Sequence, residues 1–166
     1  MTVDELDNAQ REFLALRDSS KAGLLATLTN DQMPFASYAP LVWVGDYCYL
    51  YLSELAGHTR NLKRCPSISI LLMEDEDRVA NAFARRRITF TAAVVVVERE
   101  DPLFAQVLAE FHHCFGKVMK MIEALPDFHL FRLQLQAGRF VRGFGQAYDL
   151  SGDHLDRLTH IGPGNK

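Results

Sequence analysis

The residues best equipped for chemistry are a scatter of histidines and arginines and one aspartate that follows a proline. His58 and Arg60 lie in Ser53-Glu54-Leu55-Ala56-Gly57-His58-Thr59-Arg60-Asn61-Leu62, where a short helix is expected to begin. The free amides of a helix start, with a guanidinium close behind, could meet an anion such as a phosphate or a propionate. A plain loop histidine is the equal alternative. His160 is near the C-terminal end, where an imidazole could swing onto a metal centre or simply end a frayed helix. Arg87 closes the run Arg85-Arg86-Arg87 at the mouth of a β-branched stretch. It could grip a carboxylate or phosphate with two parallel hydrogen bonds, and the run reads equally well as a solvated helix end. Asp127, after Pro126, is either turn chemistry or an acceptor that holds a ligating imidazole and raises its basicity.

The remaining histidines carry plainer readings. His112 and His113 are adjacent on a helical pattern, so they cannot chelate together from one face. His129 alternates with Phe128 and Leu130 and points away from them, and His154 opens a short helical pattern and reads as solvated. Cys48, Cys65 and Cys114 are odd in number and lie in no metal-type spacing, which points to free thiols and a cytoplasmic setting. No nucleophile elbow, phosphate-binding loop or dinucleotide fingerprint is present.

The elements that must position these groups follow from periodicity. The 166 residues, 48% hydrophobic and 23% charged, suit a single domain over 1–166. A net charge of -3 argues against a nucleic-acid partner, and no apolar run is long enough to span a membrane. Val3 to Leu16 predicts an amphipathic helix with Thr2 as its N-cap. Lys21 to Leu28, Phe35 to Val44 and Tyr47 to Leu52 predict three strands in meander order, with Tyr47, Tyr49 and Tyr51 on one face. Gly57 to Lys63 predicts a short helix stopped by Pro66, and Ser67 to Met73 a further strand.

Beyond them, the acidic run Glu74 to Asp77 is expected to start a helix whose apolar side carries Val79, Ala80, Phe83 and Ala84. Ile88 to Val97 predicts a central strand that is apolar on both faces from Ala92 onward, as a barrel wall or a subunit interface would be. Asp101 to Leu125 predicts one long helix. Phe128 to Leu135 and Arg139 to Gly145 predict a hairpin turning at Gly138, and Asp153 to Leu158 a short helix before a Gly-Pro-Gly tail. Closely spaced strands without a βα rhythm give an antiparallel barrel decorated by helices.

Three stretches carry a likeness to a known family. They are Ser37-Tyr38-Ala39-Pro40; Ser53 through Leu62 with Cys65-Pro66 and Ser69-Ile70; and Asp127-Phe128 with Leu130 to Leu133 and Gly143 to Tyr148. Together they resemble the HugZ/HutZ-type haem-utilisation proteins of the pyridoxamine-phosphate-oxidase-like group. The resemblance implies a six-stranded antiparallel split β-barrel, a homodimer, and a cofactor at the subunit interface. In the haem branch it implies an iron-ligating histidine near the C-terminus and an aspartate that hydrogen-bonds it, matched here by Asp127, with Arg87 and His58 near the pocket. Aligned on Asp127, the family's Gly-His ending falls on Gly164-Asn165, which leaves His160 as the available iron ligand.

In the flavin branch the resemblance implies FMN, with Ser53, His58, Arg60 and Arg87 around its phosphate. That branch's serine, arginine and lysine fall on Ala56, Gly57 and His58, so a weaker grip on phosphate is expected. Haem-degrading enzyme, FMN-dependent oxidoreductase and non-catalytic binding module all remain open on one fold.

Overall fold

In the computed structural model, which describes residues 3–79 and 81–160, the alternating stretches become strands of one antiparallel sheet. They are β1 (Ala22–Leu28), β2 (Pro34–Val44), β3 (Tyr47–Ser53), β4 (Ser67–Met73), β5 (Arg87–Val97), β6 (Phe128–Gly143), β7 (Gln146–Ser151) and β8 (Arg157–His160). The order β3-β2-β1-β4-β5-β6 closes on itself through a β3–β6 ladder, which gives the expected six-stranded barrel. Closure satisfies edges that would otherwise be open. β7 and β8 extend the sheet from the second half of β6. The helices are α1 (Val3–Ser19), α2 (Gly57–Arg64), α3 (Pro102–Phe115) and α4 (Lys117–Ile122).

Period-two alternation decides what each strand buries. Leu25, Leu50, Ile70, Ile88, Phe90 and Leu133 fill the barrel, and α1 closes over them with Ala9 and Phe13, whose ring lies 5.8 Å from that of Phe140. β3 is buried on both faces because Tyr49 and Tyr51 pack outward beneath Phe104, Val107 and Phe111 of α3. Tyr47, at the start of that strand, stays exposed. Two ion pairs fasten α1: Arg142 donates to both oxygens of Glu12 at 2.8 and 2.9 Å, and Arg86 bridges Glu74 and Glu12. The Thr2 cap expected for this helix lies outside the described residues.

Four elements differ from the sequence reading. Phe128 to Gly143 is one sixteen-residue strand rather than a hairpin. Gly138 serves close packing instead of a turn, since a Cβ there would lie 2.5 Å from Leu150 Cδ1 and 2.9 Å from Phe90 Cδ1. The hairpin comes later, at Phe144-Gly145, where Gly145 takes a φ of 72°.

The helix expected after Glu74 is two 3-10 turns, Glu76–Arg78 and Ala82–Ala84. Glu74 is drawn instead into the β4–β5 ladder, its N–H bonded to Arg86 O, and Phe83 stands exposed. The long helix is broken into α3 and α4 at Gly116, whose φ of 63° and ψ of -134° no helix contains. The C-terminal helix expected over Asp153 to Leu158 is a turn leading into β8, because the left-handed residues Gly152 and Leu155 reverse the chain.

Candidate functional site

Register brings two of the expected residues together. Ser53 ends β3 opposite Phe128, the first residue of β6, so Asp127 falls beside Ser53. The Ser53 hydroxyl donates to Asp127 Oδ2 at 2.6 Å, and the Leu55 N–H donates to Ser53 Oγ at 3.1 Å. The neighbouring Glu54 N–H donates to the Asp127 carbonyl at 2.9 Å. A serine hydroxyl has one proton to give, and here the carboxylate takes it. Ser53 was expected to hold a phosphate; in this structure its donor is committed to Asp127.

α2 begins four residues later. Its N-cap, Ala56, offers no side chain to the first amides of the helix, so these keep their affinity for an outside acceptor. His58 is buried, 8% exposed, with Nδ1 3.0 Å from Ser37 Oγ. Burial lowers its pKa below the ordinary 6.5, so at neutral pH it is an uncharged imidazole rather than a cation. Thr59, also buried, makes no hydrogen bond through Oγ1. Arg60 donates from one nitrogen to the carbonyls of Glu54 and Leu55 at 3.2 and 2.9 Å, which leaves the rest of its guanidinium fork available. A Cβ on Gly57 would sit 2.9 Å from Phe35 Cζ, so a longer side chain could enter only by pushing that ring aside.

A polar cluster that sequence reasoning missed lies beside this end of the barrel. Glu54 takes hydrogen bonds from Lys63 on α2 and from His129 on β6, the latter at 2.6 Å, and these partners hold its carboxyl below the usual range. The signal that could have found it is the β3–β6 register, in which Leu52 lies opposite His129. That pairing is not readable from either strand by itself.

Arg87 and His160 lie elsewhere. Arg87 starts β5 opposite Val141, near the other end of β6, and donates to the Arg85 carbonyl at 3.1 Å. His160 pairs through its backbone with Tyr148, which in turn faces Phe140. From Phe128 to Phe140 the strand runs about 40 Å at ~3.3 Å per residue. Asp127 and His160 of one chain are therefore not neighbours; the His160 side chain itself, like Gly162 to Asn165, lies outside the described residues. At that far end a cleft of about 710 Å³ opens between α1 and the Glu74–Arg86 segment, lined by Lys21, Tyr38, Arg78 and Arg85 among others. Among the described residues, no group of three or more histidines, cysteines or carboxylates is placed to hold a metal ion, and no helix is long and apolar enough to cross a membrane.

Comparison with known proteins gives concordant results. The family model of pyridoxamine 5'-phosphate oxidase matches residues 6–142. Haem oxygenase HutZ of Vibrio cholerae serotype O1 is 41% identical over 155 residues, 93% of this chain and 88% of that protein. The crystal structure of HutZ, described there as a haem storage protein, superposes with a TM-score of 0.75 at 40% identity, covering 81% of this chain and 95% of the other. Campylobacter jejuni ChuZ gives a TM-score of 0.85 at 34% identity over 94% of this chain, and this chain spans 63% of ChuZ.

Proposed function

Because the chain belongs to the HutZ-type haem-utilisation proteins of the pyridoxamine 5'-phosphate oxidase-like group, we propose that it binds haem and opens it oxidatively for iron use. The observation that carries the reading is the joining, at one end of the barrel, of the Asp127 carboxylate with the uncapped start of α2, His58 and Arg60. The donor set suits haem. Free amides and an unspent guanidinium fork fit a propionate, a neutral imidazole tolerates an apolar ring system, and a carboxylate with one oxygen uncommitted fits the N–H of a ligating histidine. FMN is the poorer occupant, since the phosphate-gripping charges are missing at Ala56 and Gly57 and Phe35 crowds the latter.

In this reading haem, as substrate, brings the iron at which O₂ reacts. Asp127 orients the imidazole that holds the iron, and His58 and Arg60 orient the carboxylate edge. The ligand histidine comes from a second copy, because His160 is carried along β8 away from its own Asp127. A homodimer is supported further by the outer barrel face, where Leu24 and Tyr38 are exposed side by side, Tyr38 at 63%. Arg87 then approaches the haem from that second copy. The three free thiols agree with a cytoplasmic setting.

Haemin-loaded protein supplied with ascorbate in air tests the activity. We expect loss of the Soret band with iron captured by a ferrous chelator. A band that persists while haem stays bound would make the protein a haem store and overturn the enzymatic reading.

A further inference from the structure

We propose that Ser53 is a positioning residue that holds Asp127 toward the iron-ligating imidazole, rather than a contact to any cofactor. The inference rests on the haem reading above. Its basis is the direction of one proton. The Leu55 N–H occupies a lone pair of Ser53 Oγ, which turns the hydroxyl proton onto Asp127 Oδ2 at 2.6 Å. Charge-assisted bonds of this kind are short and strong for a side-chain pair.

The Asp127 backbone is fixed as well, by the Glu54 N–H at 2.9 Å. With the carbonyl and Oδ2 both held, the carboxylate keeps one rotamer, and Oδ1, which takes no hydrogen bond from the described residues, is left to accept from a ligand. Without Ser53, the side chain is released to its other staggered positions and faces the ligand for a smaller share of the time. Three consecutive residues of one turn, Ser53, Glu54 and Leu55, thus supply the groups that aim a carboxylate on a different strand.

The readout is the iron–imidazole stretching band of ferrous haem-loaded protein, measured by resonance Raman for wild type, Ser53→Ala, Ser53→Thr, Asp127→Asn and the double variant Ser53→Ala/Asp127→Asn. A weaker hydrogen bond to the imidazole lowers this band. We expect Ser53→Ala to shift it down, part of the way to Asp127→Asn, and Ser53→Thr, which keeps the hydroxyl, to match wild type. The double variant should match Asp127→Asn alone, since a residue acting only through Asp127 has nothing left to position.

A Ser53→Ala band at the wild-type position, or a double variant shifted by the sum of its parts, overturns the proposal. If Asp127→Asn shifts the band and Ser53→Ala does not, only the role of Ser53 fails. If haem binds with Asp127→Asn indistinguishable from wild type, the role of Asp127 fails and takes this inference with it; if haem does not bind, the underlying haem reading itself fails.

Discussion

His58 shows how one residue's burial becomes a testable pH dependence. The unfolded chain takes up a proton near the ordinary value of 6.5, and the folded chain resists doing so because the ring is buried. The folded state therefore binds fewer protons, so stability holds above that value and falls as pH drops from it toward the lowered folded pKa. Thermal unfolding followed between about pH 7 and 5 should show this decline in wild type and a flatter profile in His58→Gln. Equal slopes would mean that the ring is solvated. The positions of Asp127, His58 and Arg60 were legible in the sequence because helix starts and the turn after a proline have local signatures, whereas the roles proposed for them came from the family resemblance. The work done by Ser53 was not, since its partner is 74 residues away and is found only through the β3–β6 register.

Among the elements, strand positions were readable where short apolar and β-branched runs were bounded by turn or proline signals, as in β1, β4 and β5. Reading failed where glycine had two possible meanings. Gly138 looked like a turn and is a gap left for Leu150 and Phe90, whereas Gly116 looked tolerable inside a helix and breaks it. Gly138→Ala should destabilise by about 1–3 kcal/mol through overpacking, seen as a lower denaturation midpoint with an unchanged slope. α1 owes its seat to apolar residues inside and to the Glu12 carboxylate at its edge. Glu12→Ala leaves Arg142 and Arg86 half-buried without that partner and should cost about 1–3 kcal/mol. A loss below about 0.5 kcal/mol would mark the pair as an ordinary surface bridge.

For the whole molecule, closely spaced strands without a βα rhythm pointed to an antiparallel barrel with helices, and the family resemblance supplied its six strands. What a single chain did not reveal was the separation of Asp127 from His160, because the expected hairpin at Gly138 would have brought the two ends of β6 together and the observed continuous strand keeps them apart. The proposed sharing between copies has a sharp consequence. Asp127→Asn and His160→Ala should each damage every site when expressed alone. Unfolded and refolded together in equal amounts, they should recover ~25% of the sites by random pairing, since each mixed dimer holds one site with both residues intact. No recovery would mean that each chain completes its own site, or that His160 is not the ligand.

Haem binding at this end of the barrel, through Asp127 and the start of α2, is open to a haemin titration followed at the Soret band, with wild type beside Asp127→Asn. Wild type should give a saturable band at equimolar haem, and the variant a displaced, weaker one. A featureless titration, or a band that Asp127→Asn leaves untouched, would rule out haem held in this way.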